Sequence, residues 1–194
     1  MGRQDGYKTG EVVAATGVTN DALQTWLRRG LIFGEDEIAG GGKQGRHRRY
    51  SIRTVMHIAV AHALLKAGMS DPRAAFEAAA VFAYTGRSMP ELRRLPATPF
   101  PVGDGATFLA TTGDQTELWA DLGQRDSVFR MLVAKLRRPK AFVVCDVSLV
   151  FEETLRALGE DPHRVMQEAY EGWKPQESGF IESNPKSAEK GDAA

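Results

Sequence analysis

Arg46, His47, Arg48, Arg49 and Tyr50 form one unbroken run, directly behind a stretch with glycine at 40, 41, 42 and 45 and a lysine at 43. Guanidinium groups at this density neutralise phosphates, a histidine adds charge below neutral pH, and a tyrosine offers a hydroxyl donor. The glycines would let a hairpin tip lie close to a sugar-phosphate strand. Upstream, Asn20, Gln24 and Arg28 recur every four residues, with Thr25 alongside. That spacing lines one side of a helix. Their chemistry is that of base reading, since an amide bonds adenine bidentately and an arginine serves guanine or phosphate. Thr9 and Thr19 stand where two helices would begin, and a helix N-terminus can meet a phosphate directly. The candidate DNA-contacting set is therefore Thr9, Thr19, Asn20, Gln24, Thr25, Arg28, Lys43, Arg46, His47, Arg48, Arg49 and Tyr50.

These residues need elements to hold them. "TGEVVAATG" predicts a first helix, with Thr9 as cap, Glu11 in the first turn and Gly17 at its end. "VTNDALQTWLRRG" predicts a second over 19–29, with Thr19 as N-cap and Gly30 as stop. Leu23, Trp26 and Leu27 face inward there, so Trp26 reads as core rather than as a stacking platform. Two short helices this close have helix-turn-helix spacing. Leu31–Phe33 and Arg48–Ser51 are expected to pair as the two strands of a wing, with its basic tip over 40–50. Ser51 should cap a longer helix that Gly68 closes, with Val55, Ile58, Ala59, His62 and Leu65 along one stripe. His57 and His62 lie five apart, off the spacing a metal pair prefers, and read as structural or exposed. Ser70 or Asp71, followed by Pro72, should start a fourth helix.

Beyond residue 85 the punctuation changes. Pro90, Pro96, Pro99 and Pro101 predict a linker or extended arm. Arg93 and Arg94 within it read as solvated charge, or as an arm touching DNA. Two β-prone runs around Gly113-Asp114 predict a hairpin. Residues 126–138 read as a helix, "KAFVVCDVSLVF" as a buried strand, and "ETLRALG" and "DPHRVMQEAYEGW" as helices. Arg137, Arg138 and Lys140 form a second basic cluster, read as a helix C-terminus answering its dipole.

The formal net charge is zero, yet the chain is polar along its length. Between Glu37 and Asp71 lie Lys43, Arg46, Arg48, Arg49, Arg53 and Lys66 with no acid among them, whereas from residue 151 onward ten acids oppose five bases. A polyanion responds to the local field, so the basic half suits nucleic acid. No apolar run approaches the roughly 18 residues of a membrane span, and the N-terminus lacks the apolar core of a secretory signal. Cys145 is the only cysteine, which excludes an intrachain disulfide and a cysteine-rich zinc site. A cytoplasmic location is the expectation. Cys145, Asp146 and His163 are the one set that could suggest catalysis, but their spacing carries no nucleophile signature. No phosphate-binding glycine motif stands outside the wing, and no His-Glu metal motif is present. No enzyme activity, cofactor or metal is expected.

"YKTGEVVAATGVTNDALQTWLRRGLI", "RHRRYS" and "ALLKAGMSDPRAA", in this order and spacing over residues 7–84, resemble the MerR family of winged helix-turn-helix regulators. The family's wing motif places an Arg and a Tyr where this chain has Arg48 and Tyr50. The family's usual Arg-Tyr-Tyr-Glu run is here Gln24, Thr25, Trp26 and Leu27. The resemblance implies an N-terminal winged helix-turn-helix of MerR type, and with the mixed helical and β-prone runs beyond it the expected fold is mostly α with a small β wing, followed by a small α+β C-terminal domain. The expected organisation is a DNA-binding domain over 1–85, a proline-rich linker over 86–102, an α+β domain over 103–173 for dimerisation, sensing or partner contact, and a disordered tail over 174–194. The implied function is sequence-specific binding of double-stranded DNA to regulate transcription, with a DNA-bending, excisionase-type architectural role as the alternative and an enzyme or small-molecule binder in the C-terminal domain as a more distant one. Expected partners are duplex DNA, RNA polymerase and a second copy of the chain. The prolines interrupt the family's long dimerisation helix, so a homodimer would need an atypical interface.

Overall fold

A computed structural model describes residues 5–33, 48–88, 93–101, 106–120 and 133–171. The tip of the expected wing, including Lys43, Arg46 and His47, lies outside the described residues, as do most of the helix expected over 126–138 and the tail over 174–194.

The chain opens with a two-residue strand, β1 (Tyr7–Lys8), which runs straight into helix α1 (Thr9–Thr16). Lys8 is the N-cap, not Thr9: its backbone N–H donates to the Glu11 carboxylate at 2.7 Å. Thr9 is the first helical residue and is half-buried. Gly17 ends α1 at φ +68, and its N–H closes on the Val13 carbonyl at 3.1 Å. The left-handed conformation there favours glycine. Helix α2 (Asn20–Arg28) follows with Thr19 as N-cap, the hydroxyl accepting from the Ala22 N–H at 3.2 Å. Leu23 and Trp26 are buried on its inner side.

The return strand β2 (Arg49–Tyr50) does not pair with Leu31–Phe33 as expected. It pairs antiparallel with β1, Tyr7 opposite Tyr50 and Lys8 opposite Arg49. Leu31 and Ile32 are instead buried in the core, and their apolar side chains are better satisfied there than in an exposed ribbon. Gly6 permits the pairing: at φ +66 it lies so close that a Cβ would stand 2.8 Å from the Tyr50 carbonyl oxygen.

Ser51 caps α3 (Ile52–Lys66), its hydroxyl accepting from the Thr54 N–H at 3.2 Å. This helix is not striped. Residues on nearly every side are buried, from Ile52 to Leu64, as befits a helix at the centre of the molecule. It packs along α4 (Pro72–Tyr84), which Asp71 caps.

The proline-rich segment is not a linker. Two short antiparallel strands, β3 (Arg87–Ser88) and β4 (Arg93–Arg94), lead into residues 97–100, all of them buried. Arg94 is 1% exposed and is neither solvated nor placed as an arm. Its guanidinium donates to the carbonyls of Val81, Phe82, Thr85, Leu95 and Thr98. The last turn of a helix leaves such carbonyls without intrahelical partners and carries the negative end of its dipole. Arg94 thus closes the end of α4 with a buried cation.

Beyond this point β5 (Thr107–Thr111) is the middle strand of an antiparallel sheet, flanked by β6 (Thr116–Ala120) and β7 (Val143–Asp146). The β5–β6 hairpin turns at Gly113-Asp114, as its sequence indicates, with Gly113 at φ +97. The run over 140–151 is a strand only as far as Asp146. Asp146 then caps helix α5 (Val147–Ala157), its carboxylate accepting from the Leu149 N–H at 3.0 Å. A capping aspartate at that position stops the strand and starts the helix. Helix α6 (Pro162–Ala169) completes the order.

These elements share one core rather than two. α1 and α3 pack on α5, α3 also on β7, and α4 on β6. One large buried cluster extends from Tyr7 to Val165, and a second, small one holds Ala110 and Leu136. The expected separation of residues 1–85 from 103–173 by a linker is therefore not observed.

Candidate nucleic-acid interface

Helix α2 and β2 bring the two sequence-predicted groups together. The Arg48 Nη1 donates to the Gln24 Oε1 at 3.2 Å, joining the end of the basic run to the middle of α2. One turn further, the Arg28 Nη2 donates to the Thr25 hydroxyl at 3.3 Å. Asn20 and Arg28 are exposed, and Gln24, Thr25 and Arg48 are half-buried. An amide, a hydroxyl and two guanidinium groups therefore share one surface, offering both donors and acceptors to a polar partner.

Other expected residues are placed differently. The Arg49 Nη1 donates to the Gly6 carbonyl at 3.3 Å, so this arginine also fastens β2 to the turn before β1. Tyr50 is fully buried and its hydroxyl oxygen is inaccessible, so it is a core residue rather than the exposed hydroxyl donor expected. Its position opposite Tyr7 turns both rings inward. Thr19 spends its hydroxyl oxygen on the α2 cap. Sequence reasoning missed Lys8 and Arg53. Lys8 is exposed beside Arg49 across the β1–β2 pair, and Arg53 is exposed in the first turn of α3. The signal for Lys8 was the matched alternation of Tyr7-Lys8 and Arg49-Tyr50, each with one inward ring and one outward base.

His57 is fully buried beneath this surface, its Nε2 within 2.8 Å of the Phe76 carbonyl and its ring stacked on Phe33. Burial pushes its pKa down to about 4, against a smaller opposing effect of the Phe76 carbonyl. Burial also lowers His62, with Lys66 adding to the shift. His57 is therefore a neutral structural histidine at physiological pH.

The match to known families is confined to this half. Residues 7–74 fit the family model described as MerR HTH family regulatory protein. The N-terminal part of the chain is a MerR-family helix-turn-helix. Regulators of this family are DNA-binding proteins rather than enzymes, and the MerR helix-turn-helix implies binding to double-stranded DNA. The match ends inside α4 and does not extend over the sheet, α5 or α6. No curated protein matches the chain.

The other half offers a groove of about 600 Å³ between α5, α6 and the segment 99–101, lined among others by Phe100, Phe151, Arg156, His163 and Tyr170. The Tyr170 hydroxyl donates to the Pro99 carbonyl at 2.8 Å and accepts from the Leu95 N–H at 3.1 Å, fastening α6 to the proline-rich segment. Cys145 does not contribute a nucleophile here. Burial and the adjacent Asp146 push its thiol up to about 12, far from the range of a reactive thiolate. Asp146 is engaged as a helix cap. Among the described residues no group of three or more His, Cys, Asp or Glu could hold a metal, and no helix is long and apolar enough to cross a membrane.

Proposed function

We propose that this chain is a sequence-specific regulator of transcription that inserts α2 into the major groove of duplex DNA and rests its basic run over 40–50 on the flanking phosphates. The observation that carries this reading is the Arg48–Gln24 bond, which fixes the wing's base to the recognition helix. Asn20, Gln24 and Arg28 read base edges, Thr25 orients Arg28, and Lys8, Arg48, Arg49 and Arg53 meet phosphates. The Gln24 oxygen is already engaged by Arg48, which leaves its amide nitrogen to donate to an acceptor such as N7 of a purine. The protein acts as a cytoplasmic homodimer, and the part beyond residue 86 supplies its partner contacts.

Footprinting on the protein's own upstream region locates the site, and two variants then separate the roles. Arg48→Ala should weaken binding to every sequence and reduce the slope of log affinity against log salt by about 1. Gln24→Ala should lower the preference for the cognate site over random duplex by roughly tenfold, in line with the discrimination of one base contact at about 1–3 kcal/mol. If neither variant differs from the parent on either duplex, the reading is wrong.

A further inference from the structure

The three-stranded sheet has two outer strands, β6 and β7. In the order β6–β5–β7, β7 is an outer strand, and among the described residues no strand pairs with its outer edge. At its centre Val144 is 43% exposed, while its neighbour Cys145 points into the core. An outer strand that no described strand pairs with, and that carries an exposed aliphatic residue, is a template for another strand.

The charges on either side of β7 say which strand. The approach to β7 carries Lys135, Arg137, Arg138 and Lys140, all exposed, and no acid. The exit carries Asp146, Glu152 and Glu153, with no base before Arg156. This gradient is complementary to its own reverse. Antiparallel pairing of two identical strands sets each basic approach beside the other's acidic exit, and it is the arrangement a two-fold axis generates. Parallel pairing would set like charge against like.

We propose that β7 pairs antiparallel with β7 of a second copy across a two-fold axis at Val144, joining two three-stranded sheets into one. Val144 then lies directly opposite Val144 of the second copy, and each covers the other's exposed methyl groups. Phe142 lies opposite Asp146 of the second copy, and Lys140, just ahead of Phe142 in the chain, approaches that acidic end. The axis gives the basic cluster at 137–140 a partner and closes the edge. The interface rests on the homodimer of the proposed function and assigns its surface; it does not depend on which residues meet DNA.

The test uses the full chain without DNA, so its outcome is separate from that of the binding assays. Sedimentation velocity over a concentration series should show a dimer that weakens as salt rises. Val144→Lys, which sets two like charges face to face, should raise the dissociation constant at least tenfold with an unchanged circular dichroism spectrum. Should that variant fail to fold, the exposed pair Arg138→Glu and Lys140→Glu should weaken the dimer and flatten its salt dependence. Val144→Cys should form an intermolecular disulfide under mild oxidation, because directly opposed residues bring their Cα atoms to about 4.5–5.5 Å, within disulfide range. The parent, with Cys145 buried, should not. A monomer at every concentration overturns the proposal, and so does a dimer that neither substitution weakens and that Val144→Cys does not cross-link.

Discussion

Arg48 and Arg94 are the same residue in two regions that both look basic and loop-like in sequence, and the fold uses them in opposite ways. Arg48 stands half-buried on the α2–β2 surface, holding one side-chain amide. Arg94 is sealed inside, holding five backbone carbonyls around the end of α4, with its guanidinium 5.3 Å from the Phe82 ring centroid. A guanidinium has five donors in a fixed fork, and either a phosphate strand or a spent helix end can use them. Surroundings decide which, and the composition of the local segment does not.

The sharpest way to break this comparison is to remove each guanidinium in turn. Arg94→Ala should cost roughly 3 kcal/mol or more, because it strands several buried carbonyls that each cost about 1–3 kcal/mol when unpaired. Arg48→Ala should move the denaturation midpoint little and act on DNA affinity instead. Equal shifts of the midpoint in urea would abolish the distinction.

A second test asks how dry the core is around His57. Arg94 keeps its charge in the interior because carbonyls replace water around it, whereas His57 in a similar depth gives up its proton. The unfolded chain, with an ordinary histidine near 6.5, binds a proton before the folded one does. The stability that His57 contributes by staying neutral is thus complete above about pH 6.5, falls as the pH drops toward 4, and is then level. The full difference is about 3 kcal/mol. His57→Phe should flatten thermal stability over that window, and a slope identical to the parent's would show that the imidazole is hydrated in the native state.

The smallest effect concerns the β1–β2 joint at the edge of the candidate surface. Gly6→Ala places a Cβ against the Tyr50 carbonyl in a left-handed conformation, which costs about 1–2 kcal/mol from the backbone alone. It should loosen the β1–β2 pair and so weaken DNA binding beyond what the lost stability explains. A variant with parental DNA affinity would show that β1 plays no part in placing Arg48 and Arg49.

The helices of the N-terminal half were legible because their signals are local. Thr19, Ser51 and Asp71 act as caps within three residues of themselves, Gly17 stops a helix through its own φ, and the spacing of Leu23 and Trp26 sets an inward face without reference to distant residues. The candidate surface was legible for the same reason, since Asn20, Gln24 and Arg28 follow a helical period. Where a partner lay far along the chain, the reading failed. β2 took Tyr7-Lys8 from the far end of the N-terminal segment in preference to nearby Leu31–Phe33, and Tyr50 went inward with its strand. The prolines at 90–101 suggested a linker because nothing near them shows that Tyr170 and the end of α4 hold that segment down.

The sequence by itself determined the caps at Thr19, Ser51 and Asp71, the helix stop at Gly17 and the inward face of α2, because backbone capping and helical periodicity act over a few residues. Tertiary structure alone decided which strand pairs with Arg49–Tyr50, that both halves contribute to one large buried cluster, and that Arg94 is buried while Arg48 is only half-buried. Those outcomes depend on which surfaces are left to cover and which carbonyls are left to satisfy once the helices have packed, and no short stretch of sequence contains that sum.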